Sequence, residues 1–173
     1  MSTIGPMIAD SAQLTLGYAQ RLLNGVTPEQ FARFARIGDQ VIESNHPAFI
    51  LGHLSLYPCR IVDELGGDAS AITPTEPYEN LFSHETTCVD DSDGSIYPAM
   101  DEVVNKFTSA YETTIDFVKT ASDEAFAVEN PNERMRAKFA TKGSMHAFYM
   151  SGHGMIHMGQ FSAWRRVMGL GSA

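Results

Sequence analysis

Along most of the chain apolar residues recur at intervals of three and four, the spacing that gathers side chains on one face of an α-helix. Met7, Leu14, Tyr18 and Leu22 define a first helix, with Pro6 near its first turn and Asn24-Gly25 at its end. Thr27-Pro28-Glu29-Gln30 has the form of a capping box with proline at the first helical position, and opens a short connecting helix through Phe31 and Phe34. From His46, the positions Ile50, Leu54, Tyr57, Ile61 and Leu65 predict a second helix that Gly66-Gly67 terminates. Pro58 conflicts with it: a ring without an N–H predicts a kink or a break just beyond His53.

The segment from Asp68 to Tyr97 is rich in Thr, Pro, Asp, Ser and Gly and reads as a long connection with one helical turn near Tyr78 to His84. A third helix starts at about Pro98 and aligns Met100, Val103, Val104, Phe107, Tyr111, Ile115 and Val118, ending near Ala121. Asn130-Pro131-Asn132-Glu133 repeats the cap, proline and acid arrangement and opens a short segment before a fourth helix from about Lys142 to Met168, which Gly169 stops. The sequence shows no strand-like alternation, internal repeat or low-complexity run. The expected class is all-α: an antiparallel four-helix bundle with short connecting helices and one long loop, whose core can host a ligand or a metal.

Length limits this to a single domain over residues 1–173. Hydrophobic residues at 43% and charged residues at 19% match a globular chain, and the net charge of -9 disfavours attraction to nucleic acid or anionic lipid. The first 22 residues lack a basic start followed by an unbroken apolar run, so neither a signal peptide nor a membrane segment is expected and the cytoplasm is the default compartment. Cys59 and Cys88 imply no disulfide framework.

Candidate chemistry centres on the fourth helix, where His153 and His157 stand four apart on one face and can share a metal ion. Gly154 occupies the place where a zinc protease carries its glutamate base, so that chemistry is excluded. Six histidines in such a chain give a pair at this spacing about 0.2 times by chance. A third ligand is therefore needed, and His46, His53, His84 and His146 are the candidates. His53 fits best, because it lies on the apolar side of helix two, where a charged imidazolium is costly and coordination favours the neutral ring. The alternative is a core histidine satisfied by a main-chain carbonyl. His146 and Met150 fall on the same predicted face as His153, but His146 lies about 10 Å back along the axis, too far for the same ion. Gln160 can orient a ligand or bond between helices, Arg165 and Arg166 suit helix termination or a site role equally, and the methionines of this helix read as core filling.

The segment Asn45-His46-Pro47-Ala48-Phe49-Ile50-Leu51-Gly52-His53-Leu54, with His153-x-x-x-His157-x-Gly159-Gln160, Trp164-Arg165-Arg166 and Gly169, resembles the DinB-like family of metalloenzymes. The resemblance runs from helix one to Leu170. It implies a four-helix bundle, a homodimer, and a three-histidine site for nickel, zinc or a similar divalent ion, with His53, His153 and His157 as ligands. It also implies a small-molecule substrate: relatives include transferases that use low-molecular-weight thiols such as bacillithiol or mycothiol, and an isomerase of the maleylpyruvate type. Three departures stand out: Met158 where the family often has a basic residue, Phe49 where it often has Trp, and the length of the 68–97 loop. On the residues alone, a noncatalytic metal-binding bundle is the competing reading.

Overall fold

The computed structural model describes residues 2–173, and these form a predominantly helical molecule. Helix α1 (Ile4–Leu23) is followed by the short α2 (Pro28–Phe31), where Thr27 N–H donates to Gln30 Oε1 at 3.2 Å. Helices α3 (Pro47–Leu54) and α4 (Tyr57–Glu64) replace a continuous second helix, with the break at Ser55-Leu56 that Pro58 demands. Helix α5 (Glu76–Phe82) lies within the long connection, and α6 (Met100–Thr120) is the third long element. After α7 (Asp123–Ala127) and a 3-10 turn (Glu133–Met135), the last rod comprises α8 (Lys142–Ala147), a π-helical stretch (Phe148–His153) and α9 (Gly154–Val167).

The longer elements pack around the core. Helix α1 packs on α6 and on the π-helix and α9, while α3 packs on α6 and α9. Leu16, Leu22, Ile50, Leu51, Leu54, Phe107, Tyr111 and Phe161 are sealed between them. Among the described residues no helix is long and apolar enough to cross a membrane.

Three expectations need correction. Met7 and Leu14 are exposed, because α1 buries instead the face of Gly5, Ile8, Ala12, Leu16 and Ala19, whose small members let α6 approach closely. Second, a hairpin exists: β1 (Ala35–Ile37) pairs antiparallel with β2 (Gln40–Ile42) through a turn whose first central residue, Gly38, has φ 58°. Strands of three residues are too short for alternation to register. Third, the final helix is not uniformly α. Each π-helical residue advances less than the 100° of an α-helix, so His146 and His153 leave the common face that α-periodicity assigns them. Helix α7, which Ser122 caps by accepting from the Ala125 N–H, is an element the periodicity also misses.

Candidate metal centre

Helix α3 starts where the His46 side chain caps it, with Nδ1 accepting from the Phe49 N–H at 3.2 Å. Two turns on, His53 is 5% exposed, and its Nδ1–H donates to the Phe82 carbonyl at the end of α5, 2.8 Å away. A carbonyl can only accept, so the proton sits on Nδ1 and the lone pair of His53 is at Nε2. Gly52 makes this contact possible: a Cβ there would collide with the Phe82 ring.

His157 is held in the same way from a different direction. Its Nδ1 lies 2.9 Å from Gln160 Oε1, which also accepts from Asn45 Nδ2 at 3.2 Å, so its lone pair too is at Nε2. The Nε2 atoms of His157 and His153 are 3.1 Å apart. Two nitrogens bound at zinc distances on tetrahedral geometry are separated by about 3.3 Å, close to this spacing. Ring centroids of His53 lie 5.2 Å from His153 and 5.0 Å from His157, and one ligating atom from each of the three falls within 4.8 Å of the others. No Asp, Glu or Cys joins them in that cluster among the described residues.

The surroundings are aromatic. Phe49 stacks on His53, Phe148 and Tyr149 flank His153, and Tyr57 sits edge-on to both His53 and His153. Burial in this shell pushes His53 down to about 4 and His153 down to about 3, and lowers His157, with the neighbouring histidines adding to the effect on the first two. All three are neutral bases at physiological pH, the state in which imidazole binds metal. Nδ1 of His153 is buried without a hydrogen-bond partner, and the Tyr57 hydroxyl lies 3.1 Å from His53 Nε2. The donor set therefore fits a divalent ion: three neutral nitrogens, two of them oriented by bonds through the opposite ring atom.

No family model, curated protein or solved structure matches this chain.

The other residues singled out in the sequence have separate places. His46 is fully buried and satisfied, its Nε2 2.9 Å from the Val89 carbonyl. His84 is exposed after α5 and outside the cluster. His146 is buried against Glu64. Arg165 is structural: its guanidinium donates to the Leu22 and Asn24 carbonyls at the end of α1 and to Leu170 O, while Arg166 is exposed. Met145, Met150 and Met158 are core residues, whereas Met155 is exposed. Cys59 and Cys88 are buried free thiols. Gly154 faces α1, where an added Cβ would lie 2.6 Å from Thr15 Cγ2, so a glutamate base could not occupy this position. Tyr57 is a polar neighbour of the cluster that no motif marks, although its place four residues after His53 is a usable signal.

Proposed function

We propose that this chain is a DinB-like antiparallel four-helix bundle that binds one divalent ion, nickel or zinc, through His53, His153 and His157, and acts on a small molecule. The observation that carries this reading is the convergence of the three imidazoles with the lone pairs of His53 and His157 fixed at Nε2 by Phe82 O and Gln160 Oε1. The bundle is supported by packing that closes a ring of neighbours: α1 on α6, α6 on α3, α3 on α9, and α9 on α1. Homodimerisation rests on the resemblance alone.

The substrate class we favour is a low-molecular-weight thiol. Three neutral ligands leave the charge of a divalent ion uncompensated, which favours an anionic partner in an open position. When bound, such an ion supplies a Lewis acid that makes a thiol acidic near neutral pH or polarises a carbonyl. The protein's share is to hold the ligands neutral, exclude water with Phe49, Phe148 and Tyr149, and present the Tyr57 hydroxyl as a hydrogen-bond donor. The lack of a carboxylate in the cluster favours a second reading, a noncatalytic metal-binding bundle.

Untagged protein titrated with nickel and zinc against a chelator is expected to bind one equivalent, and His157→Ala to lose it. If His157→Ala keeps one equivalent at wild-type affinity, the site is wrongly assigned. Turnover of thiols with a panel of electrophiles by the loaded protein supports the transferase reading; stoichiometric metal without turnover supports the noncatalytic one.

A further inference from the structure

A cavity of about 70 Å³ opens between α4 and the rod that begins at α8. Tyr57, Arg60 and Glu64 line it from α4, Tyr149 and His146 from the opposite side, and Asn132 from the preceding loop; none of the three clustered histidines does. His146 is 1% exposed, yet neither of its ring nitrogens has a hydrogen-bond partner, and Glu64 Oε2 is likewise buried and unpartnered. The two side chains are 3.4 Å apart at Nε2 and Oε2 without forming a hydrogen bond.

They are not an ion pair. Burial pushes His146 down to about 4, with the Lys142 charge adding to the effect, so its ring is neutral and offers a lone pair. Burial raises the Glu64 carboxyl, and Lys142 and Arg60 oppose that shift. Neither cation bonds to Oε2 of Glu64: Arg60, at the cavity wall over the Tyr57 ring, pairs with Glu79, and Lys142 donates to the main-chain carbonyl of Glu64. The cavity thus presents acceptors, a carboxylate oxygen and an imidazole lone pair, beside the stacked rings of Tyr57 and Tyr149, whose centroids are 4.6 Å apart. Acceptors beside aromatic faces are the surroundings that favour a cation with several N–H donors.

We propose that this cavity binds the protonated primary amine of a small molecule, its ammonium group donating to Glu64 Oε2 and to the ring of His146. The volume equals about two waters of the liquid, so it takes a head group and the first carbons of its chain, not a whole substrate. None of the three proposed metal ligands lines the cavity, although its walls Tyr57 and Tyr149 also touch His153.

The test uses the metal-free 173-residue chain and n-propylammonium as the probe, with propan-1-ol as the neutral control. Saturable binding is expected, read by calorimetry and by the ring nitrogens of His146 in 15N-resolved spectra, with no response to propan-1-ol. Glu64→Gln should weaken it by about tenfold or more, the loss of one charge-assisted bond. Lys142→Met, which removes a competing positive charge, should strengthen it, and His157→Ala, which touches no wall of the cavity, should leave it unchanged. Absence of saturation, equal binding of propan-1-ol, or retained affinity in a folded Glu64→Gln protein overturns the proposal. So does weakening by Lys142→Met, the response of an anion site. Loss of metal binding in His157→Ala has no bearing on these readouts, so the two proposals fail separately.

Discussion

The Gln160 side chain joins His157 to Asn45, which precedes α3, and one amide thereby fixes both the tautomer of a candidate ligand and the distance between two elements. Gln160→Leu removes that orientation without opening the core. Metal affinity is expected to fall about 10–100-fold, measured by competition with a chelator, while the circular dichroism spectrum stays unchanged. Gly154 acts through space rather than chemistry. Its missing Cβ leaves room for Thr15 and the Tyr111 hydroxyl, so Gly154→Ala overpacks the contact between the rod and α1. Urea denaturation should register a loss of about 1–3 kcal/mol.

At the scale of elements, the ends of helices are tied together by single side chains. Arg165 reaches from α9 to carbonyls at the end of α1, and Trp164 Nε1–H donates to Arg33 O at 2.8 Å beyond α2. Arg165→Met leaves buried acceptors without their charged donor and should cost about 2–3 kcal/mol, read as a lower thermal midpoint. The existence of the long helices was legible from periodicity, and the break at Pro58 from the chemistry of proline. Which face of α1 turns inward was not: Met7 and Leu14 satisfy the spacing as well as Ile8 and Leu16 do, and only the approach of α6 selects between them. The π-helical stretch escaped because its sequence, Phe148 to His153, contains nothing that an α-helix would reject except a glycine. In the candidate site, the pair on the last helix and His53 were readable from spacing and apolar context. The Phe82 carbonyl was not, since a main-chain atom 29 residues away leaves no mark on side-chain patterns.

Across the whole molecule, the buried histidines make stability depend on pH. Burial lowers His46, His53 and His146 to about 4 and His153 to about 3 in the folded chain, against 6.5 when exposed. Between those values the unfolded chain binds more protons than the folded one, so stability rises with pH there and is lost as pH falls below 6.5. Each such group contributes on the order of 1.4 kcal/mol per pH unit inside its window. Urea midpoints of metal-free protein should therefore drop steeply from pH 6.5 to 5 and stay nearly flat from 7 to 8. A flat profile across the acid range would show that these rings take up protons while folded.

The carbonyl that orients His53 belongs to the 68–97 connection, so an ion held by that imidazole and the docking of this stretch assist each other by equal amounts of free energy. Loading the centre should thus slow cleavage of peptide bonds far from any ligand: a protease nicking between residues 68 and 97 ought to work more slowly on nickel-saturated protein than on the stripped form, and His153→Ala should abolish the protection.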